Sequence, residues 1–242
     1  MFDNKDDVAV DIKPSIELDW APDLLIHDKK TCKKKFLIFD NVISKTYLRQ
    51  LIDNTFDYDW RFRSNLTYGD SEETINFQDL EYGLTASITI EQKYFILPLI
   101  LKICDLSNIE ISNKNQISRI SPRLQTMLSS NNEINDIHID KEQNHYVIIF
   151  YPHNIDGETI LYNQTTLDLD GSKFSKMNFK QKKETTKNFT ILEKITPKEN
   201  RAVVFNGNRY HASSSPSKGP RCIININVDY AKTNKEKNLN YQ

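Results

Sequence analysis

The spacing of hydrophobic and polar positions changes character part-way along this chain. In "KKFLIFDNVISKTYLRQLIDNTF", an apolar run from Phe36 to Phe39 leads to Ser44, after which Tyr47, Leu48, Leu51 and Ile52 recur at helical spacing. Residues three and four apart share a helix face, and a serine just ahead of them is a good N-cap, so the order predicted is strand, turn, helix. A second helix is predicted in "EQKYFILPLILKICDL", residues 91–106, with Pro98 marking a boundary or a kink. From about Ile117 the helical period gives way to short β-rich runs: "RLQTMLSS", "HYVIIFYP", "ETILYN", "FTILEKI", "RAVVFNG" and "RCIININVDY". Short strands separated by turn residues predict two sheets rolled onto one another. The polar stretch from Gln164 to Phe189 is too long for a tight turn and too polar for core. It is predicted to be a mobile surface loop, of a length that often serves function.

The chain has 242 residues, a length that one β-rich domain can fill. The expected organisation is a polar lead-in over 1–35, one domain over 36–230 with mixed helical support to 115 and a β-roll core from 116, and a flexible tail from 231. Hydrophobic residues make up 38% and charged residues 27%, a balance that supports a core in a soluble protein. With 32 basic and 33 acidic residues the net charge is -1, so no overall field draws in nucleic acid or an anionic membrane. The start has no signal-peptide core, no apolar run is long enough to span a membrane, and three cysteines, Cys32, Cys104 and Cys222, do not form a disulfide framework. An intracellular, cytoplasmic protein with free thiols is expected.

Three of the five histidines lie between Asn135 and Tyr162. Of these, His138 has a carboxylate two residues on, Asp140. On a strand, positions i and i+2 point the same way, so "HID" presents imidazole and carboxylate together. That is two-thirds of a facial triad for non-haem Fe(II). His211, which follows the apolar strand "RAVVF" where a turn begins, is the candidate for the third ligand. Ten residues later Arg221 opens a strand on which Arg221, Ile223, Asn225 and Asn227 share one face, while Cys222, Ile224, Ile226 and Val228 share the other. The second face is core. The first is semi-polar, as expected if it lines a wet pocket that holds an anion.

Taken in order, the HxD, the strand after it, "DGETILY", the apolar strand ending near His211 and the arginine ten residues on resemble the Fe(II)- and 2-oxoglutarate-dependent dioxygenases. The branch most similar is the prolyl-4-hydroxylase-like one, whose N-terminal support also resembles "FLIFDNVIS" and the helix behind it. The resemblance implies an α+β, mainly β fold: a double-stranded β-helix (jelly-roll, cupin-like) core with N-terminal supporting helices. It implies an enzyme using Fe(II), 2-oxoglutarate and O2 to hydroxylate a prolyl or other protein side chain, or a small metabolite, with release of succinate and CO2.

It further implies that His138, Asp140 and His211 bind iron and that Arg221 pairs with the distal carboxylate of 2-oxoglutarate, a geometry that suits guanidinium. Tyr151 and Thr159 stand where relatives contact the cosubstrate. The family has two glycines where this chain has Asp156-Gly157. Asn206 would support an iron ligand, and Asn225 and Asn227 would line the pocket. No separate acid or base is implied, and the carboxylate ligand favours hydroxylation over halogenation.

Other readings of the same residues are a surface His–Asp pair, a strand-edge salt bridge for Arg221, a zinc hydrolase, and a non-catalytic β-roll that binds a metal or ligand. A zinc site would leave Arg221 and Tyr151 without a shared task. His145 and His153 lack a carboxylate at i+2 and read as surface or supporting residues. Trp20 and Trp60 read as packing tryptophans. The segment 57–82 and the segment 164–189 are the two candidates for a lid.

Overall fold

The computed structural model describes residues 36–63, 83–126 and 134–230. The expectations for the lead-in, Trp20, Cys32, the tail and most of the 57–82 segment lie outside the described residues.

Strand β1 (Phe36–Asp40) enters at one edge of a seven-stranded antiparallel sheet of order β1-β8-β5-β10-β4-β3-β2. Its other members are β2 (Asp59–Arg63), β3 (Gly83–Ser87), β4 (Ile117–Gln125), β5 (His145–Tyr151), β8 (Arg201–Asn206) and β10 (Arg221–Asp229). A smaller sheet of order β7-β6-β9 lies against it, made of β6 (Thr159–Thr165), β7 (Ile191–Ile195) and β9 (Arg209–Ser213). This is the double-stranded β-helix.

Side-chain alternation explains the layers. Tyr146, Ile148 and Phe150 of β5, Ala202 and Val204 of β8, and Ile224, Ile226 and Val228 of β10 form one cluster with the helices. Val147, Ile149 and Tyr151, Val203 and Phe205, and Ile223 form a second cluster with Leu161 and Ile195 of the small sheet. A strand buried on both faces cannot alternate with polar residues, which is why "HYVIIFY" is buried from end to end.

Helix α1 (Lys45–Phe56) starts where expected, with the Ser44 hydroxyl accepting from the Tyr47 amide. Helix α2 (Ile90–Leu106) opens with a reciprocal Thr89–Gln92 capping box and buries Ile96, Leu99, Ile100 and Ile103. Pro98 marks no boundary, since the helix runs through it. A proline there removes one i to i-4 bond, and the carbonyl released is that of Tyr94, which is exposed and can meet water.

The loop expected over 164–189 is instead folded. It contains α3 (Gly171–Ser175), capped by Asp170, and α4 (Phe179–Thr186), whose Asn178 and Gln181 form a capping box. Phe174, Tyr210, Ile160, Tyr162 and Ala212 bury one another there, with Ile137, Ile139, Leu169, Met177 and Phe189 around them. The apolar residues in the stretch are few, but they are spaced to meet the outer face of the small sheet. Cys104 and Cys222 are free and buried, and no described helix is long and apolar enough to cross a membrane.

Candidate metal centre and anion pocket

The segment carrying His138 and Asp140 is not a regular strand. It runs beside β9 through two isolated antiparallel bridges, Ile134 to Ser214, just past the end of β9, and His138 to His211, where each amide donates to the other's carbonyl at 2.9 Å. The second bridge sets the two imidazoles side by side, with ring centroids 4.5 Å apart. His211 lies in the middle of β9, not at the start of a turn, and β9 is a strand that its mixed sequence "RYHAS" did not announce.

His138, Asp140 and His211 each offer one ligand atom, all within 4.8 Å of one another. Each imidazole is oriented by its own backbone: His138 Nδ1 lies 2.9 Å from the Asp136 carbonyl oxygen and His211 Nδ1 lies 3.1 Å from that of Arg209. A carbonyl can only accept, so Nδ1 carries the proton in both rings and the lone pair is on Nε2. Both Nε2 atoms point at Asp140, 3.9 Å from its Oδ1.

The carboxylate is held from the large sheet. Asn225 Nδ2 donates to Asp140 Oδ2 at 3.1 Å. The Asn227 carboxamide faces Asp140 Oδ2, Asn225 Oδ1 and the Ile226 carbonyl, all acceptors, so its nitrogen must point to them, at 3.1 Å from the first two. Arg119 adds a bond from Nη1 to Oδ1 at 3.3 Å.

Burial, reinforced by His211, pushes the His138 imidazole down to about 3, and burial lowers His211 as well against the pull of Asp140. Burial alone would raise the Asp140 carboxyl, but the positive charge of His211, Arg119, Arg123 and His138 holds it well below the usual carboxylate range. At neutral pH the imidazoles themselves are uncharged. Two neutral imidazoles and one carboxylate form a donor set ready for a divalent cation.

Arg221 is 3% exposed, yet no carboxylate of the described residues pairs with it. Its Nη2 donates to Thr159 Oγ1 at 2.8 Å, its Nη1 reaches Gln125 Oε1 at 3.4 Å, and its Nε has no partner. Tyr151, fully buried, shares a 2.5 Å hydrogen bond with Thr159 Oγ1, and the guanidinium lies 5.6 Å from its ring centre. A buried cation among neutral groups is costly unless an anion joins it.

The guanidinium is packed from below. A Cβ on Gly157 would fall 2.8 Å from Arg221 Cδ, and Gly157 has φ +89, a region that favours glycine. Asp156, the residue before it, accepts from the Ser217 amide at 2.8 Å and the Lys218 amide at 3.2 Å, tying down the loop before β10.

His138, His211, Asn225, Thr159 and Arg221 all line one cleft of about 430 Å³, counting its open mouth. Asn206 is elsewhere: its side chain accepts from the Asn208 amide at 3.0 Å, while His211 Nδ1 is already at the Arg209 carbonyl. His145 is fully buried with Nδ1 on the Gln143 carbonyl, and does not join the ligands.

Five lining residues were not singled out from sequence: Arg123, Gln125, Ile149, Ala212 and Ser213. The signal for Arg123 and Gln125 was the period-two pattern of "SRISPRLQ", in which Arg119, Ser121, Arg123 and Gln125 alternate with Ile120, Pro122 and Leu124.

No protein-family model and no curated protein matches the sequence. Solved structures do match the fold. A prolyl hydroxylase from Trichoplax adhaerens, in complex with a peptide fragment of the hypoxia inducible factor oxygen degradation domain, aligns at TM-score 0.52 over 86% of this chain and 87% of its own, with 14% identity. The non-heme alpha ketoglutarate dependent carbocyclase SnoK of nogalamycin biosynthesis aligns at 0.53 over 90% and 92%, with 10% identity. The epimerase SnoN of the same biosynthesis aligns at 0.55 over 81% and 79%, with 7% identity. The chain has the double-stranded β-helix shared by these enzymes.

Proposed function

We propose that the protein is an Fe(II)- and 2-oxoglutarate-dependent oxygenase that hydroxylates a protein side chain or a small molecule, releasing succinate and CO2. One observation carries the reading. A compact His138–Asp140–His211 donor set shares its cleft with Arg221, a buried guanidinium that has no acidic partner among the described residues. A metal site alone does not require the second feature, whereas a metal that chelates a dicarboxylic 2-oxo acid requires both.

The donor set suits the ion. His138 and His211 would bind it through Nε2 and Asp140 through a carboxylate oxygen, while Asn225 and Asn227 hold the carboxylate so that it does not rotate away. Iron, with 2-oxoglutarate and oxygen, supplies the oxidising chemistry when bound. Arg221 would bind the distal carboxylate with its unpartnered Nε and its Nη groups, with Tyr151 and Thr159 offering hydroxyls beside it. Ile149 and Ile223 line the same cleft and would keep water from the bound groups. No side chain has to act as general acid or base.

The test needs no knowledge of the substrate. Anaerobic addition of Fe(II) and 2-oxoglutarate to purified protein should give the weak visible charge-transfer band of a chelated 2-oxo acid, lost in His138→Ala. In Arg221→Ala the 2-oxoglutarate concentration needed for that band should rise by roughly a hundredfold or more, as expected for a buried ion pair broken on one side. Folded wild-type protein that binds no iron and gives no band would overturn the reading and favour a non-catalytic binding protein.

A further inference from the structure

The register of the large sheet separates two ends of the cleft. Cross-strand partners point to the same side of a sheet, and β4 sets Arg119 beside Asn227, Ser121 beside Asn225 and Gln125 beside Arg221. Asn225 and Asn227 hold the Asp140 carboxylate, so their end belongs to the donor set. Arg221 and Gln125 lie four residues along from Asn225 and Ser121, about 13 Å away at the rise of a strand.

Gln125 is 2% exposed and lines the cleft, yet its hydrogen bonding is half complete. Its Oε1 accepts from Arg221 Nη1 at 3.4 Å, which fixes the orientation of the carboxamide, because a rotated amide would set two donors against each other. Nε2 then carries two hydrogens and has no partner. On its other side β3 sets Gly83 beside it, which has no side chain to offer. A buried donor left unpaired is destabilising, and one in the wall of a cleft calls for a partner that enters from the cleft.

The hydrogens left over set the character of that partner. Arg221 Nε is also without a partner. Tyr151 and Thr159 share a 2.5 Å bond that uses one of their two hydroxyl hydrogens, and Thr159 Oγ1 also accepts from Arg221 Nη2, so the second hydroxyl hydrogen remains. This end of the cleft has donors in surplus, and the acceptor of Gln125 is already taken. A carboxylate accepts at both oxygens and donates at neither.

We propose that Gln125 selects the cosubstrate. Its Nε2 donates to the second carboxylate of the 2-oxo acid, completing the grip of Arg221, so that the site chooses a dicarboxylic 2-oxo acid over a monocarboxylic one. This deepens the oxygenase reading and rests on it. The carboxamide serves both sides at once: its oxygen steadies the guanidinium and its nitrogen meets the anion. Being neutral, it leaves the charge of Arg221 to the ligand, whereas a carboxylate at 125 would consume it.

Anaerobic titrations of Fe(II)-loaded protein, read by the chelate band, compare 2-oxoglutarate with 2-oxopentanoate, which ends in a methyl group in place of the second carboxylate. Folded wild-type protein that gives no band overturns the oxygenase reading and this assignment with it. With the band present, every outcome bears on Gln125 alone. Gln125→Met keeps the length of the side chain and removes the donor. It should raise the half-saturating 2-oxoglutarate concentration about tenfold or more, while that for 2-oxopentanoate stays within about threefold of the wild type. Gln125→Glu keeps an acceptor for Arg221 but puts a charge beside the place of the ligand's own, and should raise the 2-oxoglutarate value by roughly a hundredfold or more. A double-mutant cycle separates a direct donor from a residue that only steadies the guanidinium: the loss in Gln125→Met should persist in an Arg221→Ala background. Equal weakening of both acids in Gln125→Met, wild-type affinity for 2-oxoglutarate in Gln125→Glu, or a loss that vanishes once Arg221 is removed would overturn the assignment.

Discussion

The two sheets differ in what supports them and in what they contribute to the cleft. The seven-stranded sheet has α1 and α2 on its outer face, and that cluster is continuous, from Leu37 and Leu51 to Ile100 and Val228. Among the described residues, the three-stranded sheet has on its outer face the cluster around Phe174 and Tyr210, closed by helices of five and eight residues. The candidate centre draws on both. His211 belongs to the small sheet and His138 is bridged to it, whereas Asp140 is held by asparagines of β10 in the large one. Ile137 and Ile139, alternating with the ligands, pack in the Phe174 cluster, and so do Tyr210 and Ala212, which flank His211. Stability should therefore reside chiefly in the large sheet, and the position of the imidazoles in the small one.

A pair of truncations separates these roles. Phe150→Ala, in the fully buried centre of β5, should cost about 3–5 kcal/mol of unfolding free energy. In protein that is still folded it should leave metal affinity near that of the wild type. Phe174→Ala should cost less than Phe150→Ala, because the cavity opens beside short helices that can settle into it. It should nonetheless weaken metal binding by roughly 10–100-fold, the scale of losing support behind a ligand. Denaturant unfolding and metal titration of the two variants decide the matter. Equal effects on metal affinity would break the comparison.

A third substitution tests the join between β5 and the turn that leads into β9. Gly207 donates its amide to the His145 carbonyl at 2.7 Å, and a Cβ added to Gly207 would lie 2.2 Å from the His145 ring. The ring is fully buried and Nδ1 is anchored, so it cannot swing aside. Gly207→Ala should therefore destabilise by about 1–3 kcal/mol as overpacking. In a His145→Ala background the same change should cost much less, which a double-mutant cycle measures. Independent effects of the two substitutions would show that the close approach is not what the glycine serves.

How far the sequence announces this arrangement depends on whether the signal is local. The core strands were legible because burial on both faces leaves uninterrupted apolar runs such as "YVIIFY" and "AVVF". The ligand pair was legible through its i, i+2 spacing, and the polar face of β10 through alternation. The strand β9 was not, since "RYHAS" is short and mixed, and its pairing partners lie on β6 and in the HxD segment, far away in sequence. The helical character of 164–189 was missed although Asn178 and Gln181 stand at capping-box spacing, because the polar composition masked it. The polar face of β4 was passed over for a related reason: its alternation is plain within the strand, but only the register with β10 places Arg119 beside Asn227 and Arg123 beside Ile223.

The mildest test of the comparison lies at the far edge of the large sheet, where no cleft residue is involved. Asp40 on β1 and Arg201 on β8 are cross-strand partners, joined by two bonds, Nε to Oδ1 at 2.7 Å and Nη2 to Oδ2 at 3.1 Å, with Lys198 Nζ 2.8 Å from Oδ2. Its hydrogen bond with Arg201 holds the Asp40 carboxyl below its ordinary range, against the opposing effect of partial burial. A group with a depressed folded-state pKa contributes stability that is present above its unfolded value, about 4, and is lost as pH falls through the folded value. Asp40→Asn should therefore cost about 1 kcal/mol at pH 7, the range of a partly exposed bidentate pair. The gap to wild type should close as pH drops below about 4, while metal affinity at pH 7 stays the same in both proteins. A stability gap that persisted unchanged into acid would mean that the pair acts through shape and hydrogen bonding rather than charge, and a change in metal affinity would mean that the edge of the large sheet reaches the ligands after all.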